Sequence, residues 1–171
     1  EESEPDLFWA IRGGGGNFGV ATRLRVRLHE ISEIVGGILI LPATPEVITG
    51  FLEAANDAPE EISTIANLML APPMPFIPEK AHGKPVLMGM LAGVGPMDQA
   101  QAALAPFREL GEPYADMVRQ MRYPEMYEGE GPPVRNGAGT NFFADALDPA
   151  DAATILEQLQ RSTAMMSAVQ L

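Results

Sequence analysis

The sequence predicts an α+β fold, an antiparallel sheet with its helices on one face, and three observations carry that prediction. From Val35 onward the apolar period switches in the order strand, helix, strand, strand, helix, strand. The run Val35 to Leu41, VGGILIL, is almost continuously apolar, as a central strand buried on both faces must be. The stretches from Pro45 and from Met97 carry apolar residues at helical spacing and are bounded by prolines and glycines that would end a regular element.

Taken in order, the chain opens on Pro5-Asp6 and a short helical run in which Leu7, Phe8, Ala10 and Ile11 are apolar. Four consecutive glycines follow, Gly13 to Gly16. Such a run loses much backbone entropy on folding, so a folded domain keeps it where side chains would obstruct something lying against the main chain. A flexible linker would continue in glycine and serine, whereas this one stops at Asn17, Phe18 and Gly19. Gly14, Gly16 and Gly19 also satisfy G-x-G-x-x-G, but a dinucleotide fingerprint needs a strand before and a helix after, and the order here is the reverse. The next segment alternates, with Leu24, Val26 and Leu28 on one side and Arg23, Arg25, Arg27 and His29 on the other, which predicts a strand with one buried and one wet face.

After the central strand, Thr44 as cap and Pro45 at the first helical position predict a helix through Val47, Ile48, Phe51, Leu52 and Ala55, closed by Asn56 to Pro59. A strand is expected from Ile62 to Leu70, a proline-rich loop from Ala71 to Gly83, and a strand from Val86 to Ala92. A second helix from Met97 to Leu110 has Ala100, Ala103, Leu104 and Phe107 as its inward stripe and Pro106 where a kink or early end is expected. A final strand from Tyr114 to Met121 completes a ferredoxin-like βαββαβ pattern. Beyond the loop Tyr123 to Gly139, Thr140 to Ala144 predicts another strand of the same sheet. Asp148-Pro149 caps a last helix through Ile155, Leu156 and Leu159 and on into Met165 and Met166. With both helices of the motif on one face, the other face is left free to form a wall.

The string DLFWAIRGGGGNFGVATRLRVRLHEI, Asp6 to Ile31, resembles the segment that closes the flavin-binding domain of vanillyl-alcohol-oxidase type flavoproteins, in particular the berberine-bridge-enzyme-like oxidases with their PCMH-type FAD-binding domain. The remaining residues resemble that family's substrate-binding domain in their order of elements. The resemblance implies that residues 1–31 are the end of the FAD-binding domain and 32–171 an incomplete substrate-binding domain. It also implies that FAD is the cofactor, approached by Gly14, Gly15, Gly16, Asn17, Gly19 and Val20, and that the open sheet face covers the flavin ring. The implied activity is oxidation of a small organic substrate, an alcohol, sugar or secondary metabolite, by hydride transfer to FAD. The family's covalent flavin ligands precede the matched segment and its catalytic tyrosine follows this chain, so no catalytic residue is assigned, and Tyr114, Tyr123 and Tyr127 are not put in its place. The alternative is a ferredoxin-like ligand-binding or dimerisation module without catalysis, its open face covered by a second copy in a homodimer; that reading leaves the glycine segment idle.

Composition sets the remaining bounds. With 171 residues, 46% of them hydrophobic, there is enough chain for one core. A net charge of −12 speaks against nucleic acid or an anionic membrane as partner, and no segment is apolar enough to span a bilayer. There is no cysteine, which excludes disulfides and thiolate metal sites, and with two histidines, His29 and His82, both expected at the surface, no metal site is predicted. The ten methionines, Met69, Met88 and Met90 on expected strands among them, are read as packing residues. The opening Glu1 to Pro5 without an initiator methionine, and an end at Leu171 within a helical pattern, predict a piece of a longer protein. Its localisation is open, with the cytoplasm favoured.

Overall fold

The computed structural model describes residues 3–28, 30–31, 33–127, 138–141, 143–164 and 166–171, which divide into two compact units, Glu1–Glu30 and Ile31–Leu171. His29, the loop residues Glu128 to Pro133 with Arg135 and Asn136, Phe142 and Met165 lie outside the described residues.

In the first unit, α1 spans Pro5–Ala10 with proline in its first turn, where the missing N–H costs nothing. The Gly14 amide donates to the Ala10 carbonyl at 3.0 Å, and a 3-10 turn follows over Gly15–Phe18. The expected basic strand does not form: residues 21–28 enter no ladder, and Leu24, Val26 and Leu28 are 81%, 72% and 85% exposed. Period-two alternation says which side would be buried against a neighbour; without one, the backbone groups are left to water and nothing can be covered.

The second unit is the predicted sandwich of sheet and helices. Its strands are β1 Ile34–Pro42, β2 Ile62–Leu70, β3 Pro85–Gly93, β4 Ala115–Asp116, β5 Arg119–Met121 and β6 Ala168–Gln170. The order across the sheet is β4-β1-β3-β2-β6, with β5 also on β1, and every pairing is antiparallel. The first four positions are those of a ferredoxin-like motif. Helices α2 Pro45–Asp57, α3 Met97–Arg108 and α4 Pro149–Arg161 supply the remaining layer.

One core lies between sheet and helices, built from the odd residues of β1, including Val35, Leu39 and Leu41, the matching residues Leu87 and Leu91 of β3, and Phe51 and Phe107 from the helices. The two phenyl rings meet edge to face, 5.0 Å apart. Gly89 makes room for this pair: a Cβ there would lie 3.0 Å from the Phe51 ring. Burying each ring contributes about 1.5–3 kcal/mol. Thr44 caps α2 as expected, accepting from the Val47 amide at 3.3 Å. Helix α3 ends at Arg108, two residues before the expected Leu110, with Pro106 on its exposed side, where the carbonyl it leaves without a donor can be hydrated. At the start of α4, Asp148 Oδ1 accepts from the Ala150 and Asp151 amides, both at 2.8 Å, while the Asp151 carboxylate receives the Asp148 amide. Asp148→Ala is therefore expected to lower stability by about 1 kcal/mol, read as a shift of the urea midpoint at unchanged slope.

The last expected strand is divided. Between β4 and β5, Met117 and Val118 lie outside the ladder opposite Gly37 and Ile38, although both halves keep one register on β1. Arg108 braces the interruption: its guanidinium bonds Asp116 at 2.7 Å and the Val118 carbonyl at 3.0 Å, and the Val118 amide donates to Asp116 at 3.0 Å.

Two expectations near the C-terminal part of the chain are corrected. The described residues between Thr140 and Ala144 form no strand, and Phe143 is fully exposed. The place beside β2 is taken instead by β6, drawn from the stretch expected to continue the last helix. That helix stops at Arg161, Ser162 leaves helical geometry, and Met166 takes a positive φ of 65°, which turns the chain back onto the sheet edge.

Candidate functional site

Period two puts the even residues of β1 and β3 on the face away from the helices. Two clusters wall this face at its ends. At one, the proline-rich loop packs Ala71, Ile77 and Ala81 over Ile40, Met69 and Val86, and His82 fixes it by donating from Nε2 to the Ile77 carbonyl at 2.9 Å. His82 is thus half-buried rather than at the free surface. At the other, Ile34, Ala92 and Met121 are covered by Val94 and Met126. Between them Ile38, Ile65, Met88 and Met90 stay partly open, while Ile38 and Met88 also pack against the first cluster, in which Met69 is buried.

A cavity of about 240 Å³ lies at the second end, floored by Ile65, Met90 and Ala92, with Tyr123, Tyr127, Glu60 and Glu61 also in its lining. The tyrosines stand at the two ends of a 3-10 turn, Tyr123–Tyr127, and their rings meet across it. Their hydroxyls are 3.1 Å apart and their rings 5.6 Å apart at 74°. Hydrogen bonding to Tyr123 pushes the Tyr127 hydroxyl above its ordinary value. Within the same turn, bonds from Arg122 and then Arg119 hold the Glu125 carboxyl below the usual carboxylate range. On sequence both tyrosines are set aside as catalysts and left unpaired; their closeness within YPEMY is the signal for the pair.

The six residues expected to meet the cofactor lie in one exposed turn of the first unit. Gly14, Gly15, Gly16 and Asn17 run through the 3-10 turn and its entry, Gly19 leaves it at φ 134°, and Val20 is 90% exposed. Gly14 also lines a shallow cleft with Trp9, Arg12 and Phe18, where the Arg12 guanidinium sits 4.7 Å from the centre of the Phe8 ring. The turn itself accounts for most of its glycines. Gly13, Gly15 and Gly19 have positive φ, and a Cβ on Gly14 would strike the Ala10 carbonyl and lie 2.6 Å from the Phe18 ring. Gly16 differs: its φ is ordinary and a Cβ there would meet nothing within 4 Å.

Among the described residues no group of acidic and histidine side chains is arranged to hold a metal ion, and no helix is long and apolar enough to cross a membrane.

No protein-family model matches the chain. It is 29% identical over 131 residues to (R)-6-hydroxynicotine oxidase of Paenarthrobacter nicotinovorans, a match covering 74% of this chain and 27% of that protein. It is 32% identical over 115 residues to the FAD-linked oxidoreductase azaG of Aspergillus niger, covering 64% of this chain and 23% of the relative. The fold is similar to the crystal structure of 6-hydroxy-D-nicotine oxidase from Arthrobacter nicotinovorans, with a TM-score of 0.59 and 26% identity over 73% of this chain and 27% of that one. The chain spans about a quarter of the length of these relatives. The resemblance to FAD-linked oxidases is borne out by these similarities, and the α+β sheet by the solved neighbour.

Proposed function

We propose that this chain, a relative of the FAD-linked oxidoreductases, is the part of such an enzyme in which the end of an FAD-binding domain, residues 1–31, runs into a substrate-binding domain, residues 32–171. The observation that carries the reading is Gly16. Its neighbours in the run are glycine for reasons of their own geometry, whereas at Gly16 nothing in the chain would obstruct a side chain. A bare main chain there suits a flat ligand lying close against it, so the residues fit FAD. Gly14, Gly15, Gly16, Asn17, Gly19 and Val20 would hold the cofactor through backbone amides and carbonyls. When bound, FAD supplies the capacity to take up a hydride from a small organic substrate.

The chain's own residues supply shape. The face carrying Ile38, Ile65, Met88 and Met90 is apolar apart from Asn67 opposite Met88 and limits water around whatever lies against it, and its thioethers adapt to varied flat molecules. The exposed alternation of Leu24, Val26 and Leu28 would be satisfied by a neighbouring strand of the FAD-binding domain. The substrate is a small molecule, with neither nucleic acid nor membrane as partner. The full-length protein is expected to be yellow, absorbing near about 450 nm as oxidised flavin does. A colourless preparation would refute the assignment and favour a non-catalytic module.

A further inference from the structure

We infer that the cavity between Tyr123, Tyr127 and the β2–β3 surface binds a single-ring organic cation, an ammonium compound held by aromatic faces and carboxylates. The inference rests on the proposed role of the open sheet face as a substrate wall and adds the charge and size of what that wall accepts.

Size comes first. The cavity measures about 240 Å³, below the roughly 300–1,000 Å³ of pockets that enclose drug-sized ligands, so one ring fills it. Its floor of Ile65, Met90 and Ala92 takes an apolar ring of any charge. Charge is decided by the remaining lining. Among the described residues, Glu60 and Glu61 belong to it and no lysine, arginine or histidine does. Arg119 of β5 and Arg122, which leads into the turn, are ion-paired with Glu125 at 3.2 and 2.9 Å. The edge-to-face tyrosine pair uses one ring face for its own contact and leaves π-surface for a guest. Aromatic faces carry negative potential, which attracts a cation and repels an anion. Polarisable sulfur from Met90 and Met126 adds to the same preference. Carboxylates, ring faces and thioethers thus all select one sign of charge.

The test titrates the 171-residue chain, followed by the NMR signals of the tyrosine rings, with three probes of similar shape: phenyltrimethylammonium, its neutral isostere tert-butylbenzene, and benzoate. The cation is expected to bind at least about tenfold more tightly than either of the others, a difference of about 1.4 kcal/mol. In E60Q/E61Q the cation's advantage over the isostere should fall to about threefold or less. Tyr127→Phe should keep the cation's affinity and Tyr127→Leu lose about fivefold, with thermal unfolding showing each variant folded. Equal affinity for the three probes, no binding of any, or an unchanged preference in E60Q/E61Q would overturn the inference. None of these readings requires flavin, so a yellow full-length protein with an unselective cavity would refute this inference alone, and a colourless one the flavin assignment alone.

Discussion

Replacing Gly37 by alanine is expected to destabilise the second unit by about 2–5 kcal/mol, enough to leave much of the chain unfolded at ordinary temperature. Gly37 lies in the middle of β1 with φ at 145°, a conformation that a side chain strains. The space is closed as well: a Cβ would collide with the Met117 carbonyl oxygen and stand 2.8 Å from its carbon and 3.0 Å from the Val118 Cα. These are backbone atoms of the braced interruption between β4 and β5, so they cannot swing away as a side-chain tip would. Relief would require that stretch to leave β1, undoing the Arg108 bridge to Asp116. Gly111→Ala is the control, because its new methyl would sit 3.7 Å from Val47 in ordinary contact and should change stability by less than about 0.5 kcal/mol. Urea unfolding of the two variants decides it; equal midpoints would show that the interruption is not held as described.

Gly16→Val is expected to reduce flavin occupancy of the full-length protein at least tenfold, about 1.4 kcal/mol or more, while leaving the stability of the 171-residue chain within about 0.5 kcal/mol. The position separates ligand from fold because its φ is ordinary and a Cβ there meets nothing within 4 Å. Gly19 would confuse the two, since its φ of 134° penalises valine whether or not a cofactor is present. The measurement is the ratio of flavin to protein absorbance after purification, beside a thermal melt of the shorter chain. Full occupancy in the variant would remove the reason for placing the cofactor against this turn.

Legibility followed the kind of signal each segment carried. The start of the βαββαβ frame and the last helix could be read because Val35 to Leu41, Thr44-Pro45 and Asp148-Pro149 combine periodicity with a cap or breaker that acts locally. The strand expected at Leu24 to Leu28 failed for a different reason: alternation reports a preference that only a neighbour can satisfy, and the described residues provide none. The β6 segment is three residues long, too short for any period to declare itself, and its assignment depends on the free edge of β2, a tertiary fact. At the site, the glycine run announced itself by composition, yet only the built backbone separates Gly16 from glycines that serve the turn. Tyr123 and Tyr127 had a visible spacing but no periodic context, and Glu60 and Glu61 join them only because β2 brings Ile65 alongside Met90.

The division of the sheet into an occupied and an open face has a consequence for how such a domain can diversify. Leu39, Leu87 and Leu91 are locked into the core, while their chain neighbours Ile38, Met88 and Met90 are largely released from it. Selection can therefore rewrite these central letters of the strands, and with them the chemistry the surface tolerates, while the intervening letters and the buried ends of the same face hold the architecture still. Novelty and permanence alternate along one stretch of polypeptide.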